Sequence, residues 1–527
     1  MGEQTPHMRK SRFLSLCMAA LFCVMCLPAT SKAIDFKIKG VWINMFEYGD
    51  GGNFLQKDRN GKHQQGWGRW GEDQFEAKTR VRLQLQALAS ENLSGTLYFE
   101  VGAIPWGRGS RGGALGADGD RITKIKHAYL DWTLPGTSIK SRMGIQRVFL
   151  PDYVTEASQV FDADVAGLTV SVPFSDNFSL TAFWVRPFND NWDGGSDLNS
   201  SHYLDNADIF GLTLPISFDG LRVTPWAMLG VFGKNAFRTH NALNTASWYY
   251  GFEGNTDYGI GLSPSAYAFD GKENVYAYAT ACWTGLTGEI TAWDPFKLAF
   301  SFNYGSVETG EEALNRQGWY ASLLAEYKFD WGTPAIYGWY SSGDDDDPTN
   351  GSERLPNIEK NNESTSGLTS IATLGTWTLG RDAVLGSTLA GTWGVGLRVR
   401  DVSFLDDLTH TLHINYYQGT NSSDMARYIK GAPSAYTIIQ PNGVDYNNAN
   451  YYGLYLTDRD KAFEVGLSSQ YQIYENLKFL VEANYIALWL DTSLRVWGGF
   501  RDNSGVFRHA NSTEDLWNVN ASFIYKF

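Results

Sequence analysis

The stretch FEAKTRVRLQLQALA, Phe75 to Ala89, alternates from end to end. Phe75, Ala77, Thr79, Val81, Leu83, Leu85 and Ala87 share one parity; Glu76, Lys78, Arg80, Arg82, Gln84 and Gln86 share the other. A period of two sends successive side chains to opposite faces, so this is a strand with one apolar and one polar side. Its fifteen residues far exceed the about 5–6 of an ordinary strand.

The same alternation predicts strands near 34–46, 93–102, 122–134, 138–148, 164–172, 178–187, 207–217 and 221–232. It continues near 277–292, 296–305, 318–329, 333–342, 389–404, 408–419, 461–473, 477–489 and 515–527, eighteen in all. Their connections alternate in length. The short ones are SEN (90–92), PGT (135–137), PFSDN (173–177), FDG (218–220), WDP (293–295), DWG (330–332), LDD (405–407) and YEN (474–476). These are the residues that tight hairpins require. Between them lie 47–74, 103–121, 233–276, 343–388 and 420–460, far longer than the usual about 4–6 residues. Short turns at one end and long loops at the other describe an all-β, antiparallel up-and-down barrel. Such barrels have an even strand number. Sixteen is the alternative count if 164–172 and 277–292 are not strands.

The totals constrain the setting. Arg9, Lys10 and Arg12 precede the apolar run Phe13 to Leu27, followed by small residues Ser31 and Ala33. That is the pattern of a secretory signal peptide over 1–33, leaving 494 residues, 34–527, as a single barrel domain. Met8 is an alternative start. Three of the four cysteines fall in the leader, and Cys282 remains, so neither an internal disulfide nor Cys/His zinc spacing is available. The leader carries four basic residues and one acidic, so the remainder holds 39 basic against 56 acidic. That balance argues against a nucleic-acid partner. Beyond the leader no apolar run approaches the about 20 residues of a spanning helix.

Alternation alone does not say which face meets the solvent, since a soluble sandwich alternates too. Strand length, a polar face rich in arginine, and aromatic strand ends all favour lipid outside. FKLAFSFNYG, Phe296 to Gly305, turns Phe296, Leu298, Phe300, Phe302 and Tyr304 the same way. The last ten residues, NVNASFIYKF, alternate to the terminal Phe527, with Ile524 alone out of place.

The N-terminal IDFKIKGVW, the eighteen-strand rhythm and the terminal SFIYKF resemble Gram-negative outer membrane porins. KHAYLDWTLPGT (126–137), WDPFKLAFSFNYG (293–305) and YSSGDDDDP (340–348) resemble the outer membrane homotrimeric porins of Desulfovibrio-type sulfate reducers. The resemblance spans 34–527 and implies a trimer of water-filled channels in a Gram-negative outer membrane. It also implies that the barrel-assembly machinery reads Phe527 as an assembly signal.

No catalytic signature is present: there is no H-E-x-x-H, G-x-S-x-G or G-x-x-x-x-G-K-[ST]. The expected functional feature is a charged pore. Lys78, Arg80 and Arg82 form one candidate wall, joined by Lys140 and Arg142, with Arg398 and Arg400 sharing the inward parity further on. By resemblance, the third outer loop (150–164) folds inward and carries Asp152, Glu156, Asp162 and Asp164 towards the basic wall. Asp344, Asp345, Asp346 and Asp347 open the seventh loop. They are a candidate weak Ca²⁺ site that could bridge to lipopolysaccharide, set against a plain solvated acidic tip. The leading expectation is a general diffusion porin. The alternatives are a solute-specific, sugar-porin-like channel, which would call for a file of inward aromatics where the inward parity reads as mostly charged and amide, and an exported soluble β-protein such as a lectin.

Overall fold

The computed structural model describes residues 34–50, 73–107, 124–155, 158–188, 207–233, 279–308, 312, 315–347, 349–360, 389–424, 438–440, 443–445, 456–491, 499–501, 507–509 and 515–527. The expected leader lies outside them. The strands are β1 (Asp35–Asp50), β2 (Asp73–Ser90), β3 (Leu93–Pro105), β4 (Lys124–Thr133), β5 (Lys140–Phe149) and β6 (Phe161–Ser175). Next come β7 (Phe178–Phe188), β8 (Ala207–Thr213, resuming at Ile216–Phe218), β9 (Leu221–Phe232), β10 (Ala279–Trp293), β11 (Phe296–Glu308) and β12 (Arg316–Tyr327). The last are β13 (Thr333–Ser341), β14 (Thr392–Leu405), β15 (Leu408–Gly419), β16 (Lys461–Tyr474), β17 (Leu477–Trp489) and β18 (Leu516–Lys526). Each pairs antiparallel with its neighbours in sequence, and β18 returns to β1 from Lys526↔Val41 to Asn518↔Gly49. The barrel is closed with eighteen strands. Both segments that left sixteen open, 164–172 and 277–292, are full strands, β6 and β10.

The expected strand over 207–217 is broken. Pro215 has no N–H to give the ladder, so β8 stops at Thr213, and Leu214 N donates to Pro225 O at 3.0 Å instead.

Burial is inverted relative to a water-soluble protein. Leu323, Ile336 and Leu397, on β12, β13 and β14, are 53–55% exposed, whereas Glu47, Asn415 and Glu464 on the other parity are fully covered. In water each half-bared leucine would forfeit on the order of 1 kcal/mol. Rows of them are stable in hydrocarbon. Rings bracket the apolar band: Trp319 stacks on Phe302 and Tyr340 at 6.4 and 5.0 Å, and Tyr327, Phe329 and Trp331 cluster near the turn. Trp319 and Tyr327 are about 27 Å apart along β12 at about 3.4 Å per residue. A tilt of about 40° makes that roughly 20 Å of membrane, close to the about 25 Å apolar band of outer-membrane barrels.

The chain end is tied into the closure. Phe527 and Gly40 exchange two backbone hydrogen bonds, at 2.8 and 3.0 Å. The Phe527 ring lies where a Cβ on Gly40 would be, 2.3 Å from its Cζ, so any larger residue there would displace the ring. Ile524, out of place in the alternation, pairs with the inward Ile43.

Leu323→Arg places a charge in the middle of the outward band. Urea titration of refolding into lipid vesicles should show a loss of about 2–4 kcal/mol; an unchanged midpoint would mean that this face meets water.

Candidate functional site

The inward parity of β2 presents Lys78, Arg80 and Arg82, and the strands on either side answer with carboxylates. Lys78 Nζ donates to Glu47 Oε2 of β1 at 2.9 Å. Arg82 Nε and Nη2 reach Glu100 Oε2 of β3 at 2.7 and 2.6 Å, and Arg80 Nη1 stands 4.0 Å from the same oxygen. Arg82 and Glu100 are direct cross-strand partners. The wall is therefore a row of pairs, not a bare basic ladder. Glu100 was readable as inward from the parity of β3; its pairing was not.

Six strands away around the barrel, Arg398 and Arg400 share Glu326 of β12: Arg398 Nη2 lies 2.9 Å from Oε1, and Arg400 Nη2 lies 3.1 Å from Oε2. On the next two strands His413 and Tyr417 both reach the buried Glu464, at 2.7 and 3.2 Å. Arg142 is bidentate to Asp131, at 2.6 and 2.9 Å, with its guanidinium 4.0 Å above the Tyr129 ring. With Lys140 it edges a hollow of about 530 Å³ walled by the hydroxyls of Thr169, Ser171, Thr181 and Thr213.

The third loop is an extension of the β5–β6 hairpin that leaves the wall. β5 pairs with β4 no further than Ile145, and β6 with β7 only from Gly167 on, yet β5 and β6 stay together up to Phe149↔Asp162. Gly144 (φ 125°) and Gly167 mark the departure. A Cβ on either would strike a backbone carbonyl, of Ala128 at 2.2 Å and of Trp184 at 2.3 Å. One face of the detached hairpin, Val148, Phe161, Ala163 and Val165, is buried, with Phe161 stacked on Phe183 at 6.2 Å. The other face carries Arg147, bidentate to Asp162 at 2.7 and 2.8 Å, and Asp164, which meets Lys126 and His127 of β4 at 3.1 and 2.8 Å. Asp162 thus belongs to a strand, not to a loop as expected, and Asp164, expected where the loop ends and strand 164–172 begins, lies inside the same strand.

The hairpin tip lands on a rail of hydroxyls. Thr224, Thr287, Ser301 and Ser322 are in register on β9, β10, β11 and β12. Tyr153 N donates to Thr287 Oγ1 at 2.9 Å, and Tyr153 OH meets Thr224 Oγ1 at 2.8 Å. Arg222 covers the Tyr153 ring at 4.2 Å. Asp152 caps the amides of Val154 and Thr155, and burial pushes its carboxyl above the usual carboxylate range. Gln159 Oε1 accepts from Leu389 N at 3.1 Å, beside the start of β14. Glu156 lies outside the described residues.

The seventh loop also folds in. A short strand, Ile358–Lys360, pairs parallel with the start of β6. Arg316 Nε and Nη2 donate to Arg354 O and Leu355 O, and Trp283 Nε1 donates to Pro356 O at 3.0 Å. Gly318 makes room, since its Cβ would sit 2.4 Å from Leu355 N. The inward parity, read as mostly charged and amide, also holds a set of rings. Trp226, Trp283, Tyr320, Tyr337, Trp339 and Tyr417 face inward and are at most 4% exposed. Period two identified the parity, but it could not show that the folded-in loops give these rings something to pack against.

Asp344 is buried, and its N–H donates to Asn421 Oδ1 at 3.0 Å. Asp345 and Asp347 spend carboxylate oxygens on turn amides and on Thr349 and Asn350. Among the described residues no group of three or more His, Cys, Asp or Glu is arranged to hold a metal ion.

No family model matches the chain, and no curated protein does. Among solved structures it is similar to the outer membrane protein OprD of Pseudomonas aeruginosa, with 10% identity and a TM-score of 0.47 over 95% of this chain and 96% of that one. OccK11 (OpdR) of the same organism gives 11% and 0.46 over 94% and 96%; OccAB3 of Acinetobacter baumannii gives 12% and 0.46 over 94% and 100%. At that distance these likenesses assign neither family nor solute.

Glu100→Gln removes the charge that Arg82 and Arg80 share on a half-dry wall. Vesicle refolding in urea should lose about 1–3 kcal/mol, whereas the same change at the exposed Glu308 should leave the midpoint in place.

Proposed function

We propose that this chain is a porin of the Gram-negative outer membrane, a passive water-filled channel for small hydrophilic solutes and ions. The observation that carries this reading is the pairing of bare leucines outside with satisfied charges inside a closed eighteen-strand sheet. Closure satisfies every ladder hydrogen bond in lipid, and a barrel this wide retains a polar lumen.

The narrowest zone in this reading lies between the charged face of the β5–β6 hairpin, where Arg147 is the exposed member and Asp162 and Asp164 are covered by their partners, and the wall carrying Lys78, Arg80 and Arg82. Opposed charges across a low-dielectric gap focus the field and set ion preference. Arg398 and Arg400 stand on the far wall, and Arg142 and Lys140 in the hollow near the short turns. Asp152 acts by docking the hairpin tip. A homotrimer, contact with lipopolysaccharide, recognition of Phe527 by the barrel-assembly machinery and membership of the Desulfovibrio-type porins are parts of the same proposal, supported by the sequence resemblance.

A solute-specific channel is the second reading. The hydroxyl-walled hollow of about 530 Å³ favours it, since a small polyol would find donors and acceptors there. The inward aromatics do not, because the loops cover them.

Planar-bilayer recording under a salt gradient tests the reading. Ohmic steps in groups of three are expected, and Arg80→Glu with Arg82→Glu should move the reversal potential towards cation preference. Protein that stays dispersed without detergent and never conducts would refute it.

Removal of Phe527 separates anchor from label. Refolding in vesicles should lose about 1–3 kcal/mol for the two lost hydrogen bonds, while the amount of barrel reaching the outer membrane of cells should fall sharply.

A further inference from the structure

The hairpin tip covers a square of four wall residues. Ser301 pairs with Ser322, and Asn303 with Tyr320, across β11 and β12. Asp152 comes down on this square: the next residue, Tyr153, bonds through its N–H to Thr287, the register partner of Ser301, and the Asp152 carboxyl lies within loose hydrogen-bond reach of Ser301, as Tyr320 OH does of Ser322. All five side chains are at most 6% exposed. Asp152 Oδ1 is used by the Val154 and Thr155 amides. None of Asp152 Oδ2, Ser301 Oγ, the two side-chain atoms of Asn303, Tyr320 OH and Ser322 Oγ makes a hydrogen bond of good geometry among the described residues.

Buried polar groups are nearly always satisfied, and a buried carboxylate needs a counter-charge. Protonating Asp152 would remove the charge and give one donor, to Ser301, leaving Asn303 unmet. Water would meet the hydroxyls and leave the charge. A hard cation supplies the counter-charge and takes up the oxygens, because the square and its lid offer five: one carboxylate, three hydroxyls and one amide carbonyl; the Asn303 N–H groups and the hydroxyl protons are left to water. We propose that Asp152, Ser301, Asn303, Tyr320 and Ser322 hold a hard, oxygen-liganded cation of the calcium or sodium class, which clamps the β5–β6 hairpin to the β11–β12 wall. A single carboxylate sets the affinity low, in the ~10⁻⁴–10⁻³ M range of weak calcium modules. The clamp is independent of what passes through the barrel.

The test uses the full chain in detergent, stripped with EDTA, with Asp345→Asn and Asp347→Asn introduced so that the exposed acidic run does not contribute. Terbium chloride is titrated in, and emission sensitised by the neighbouring rings is read. A saturable signal is expected, with the titration at least about tenfold weaker in Asp152→Asn and in Asn303→Leu, as loss of ligand charge or ligand number dictates. Displacement by CaCl2 at millimolar concentration identifies calcium; displacement by NaCl at matched ionic strength identifies sodium. Heat-modifiable gel migration verifies that each variant is folded. Asp152→Asn retains an oxygen for the two amide caps, so it carries the comparison if Asn303→Leu does not fold, and Ser322→Ala replaces it if neither does. Superimposable titrations in folded wild type and variant would overturn the proposal and leave ordered water only. Because the readout is binding, that failure is distinct from failure to conduct.

Discussion

In hydrocarbon a backbone N–H or C=O without a partner has no water to turn to, at a cost of several kcal/mol per group. The pairing of β18 with β1 is therefore the contact on which the rest of this protein depends. It converts an open eighteen-strand sheet, with two unsatisfied edges, into a surface with none. The final residue takes part, through its two hydrogen bonds to Gly40 and a ring laid on that glycine. Long strands, short turns at one rim and outward apolar rows all follow from having to close in lipid.

Closure also decides what becomes of the charges. With lipid outside, most arginines and carboxylates of the strands are driven to the inner wall, where the loops exclude part of the water; Arg186 and Asp208, on the outward parity, neutralise each other. The side chains respond by pairing: Lys78 with Glu47, Arg82 with Glu100, Arg398 and Arg400 with Glu326, Arg142 with Asp131. Each pair joins residues from different strands, so the register of the barrel, rather than any local motif, sets the electrostatics of the lumen. The β5–β6 hairpin then divides that lumen. It leaves the wall at two glycines and is held at its tip by the hydroxyl rail of β9 to β12.

Much of this was legible before any coordinates. Period two located all eighteen strands, and turn chemistry placed eight hairpins, because both are properties of a few adjacent residues. The misses have physical causes. Pro215 breaks β8 through a missing donor, which a parity count does not weigh. Asp162 reads as a loop residue because nothing local shows that β5 and β6 continue as a pair after leaving their neighbours. Trp283, Trp339 and Tyr417 went unnoticed as an inward set because they are buried by segments far away in the chain.

The sequence by itself determined the alternation, an even strand count of eighteen or sixteen, the antiparallel barrel architecture and the parity on which the charges lie. These rest on the two-residue repeat of an extended chain, which needs no knowledge of neighbours. The tertiary structure alone decided which carboxylate meets which arginine, that the described parts of the third and seventh loops pack against the inner wall, and that Asp152 is buried beside the hydroxyl rail. Those are contacts between residues tens to hundreds of positions apart. They exist because closure fixes the register and glycines let one hairpin bend inward, and neither is written in the residues that touch.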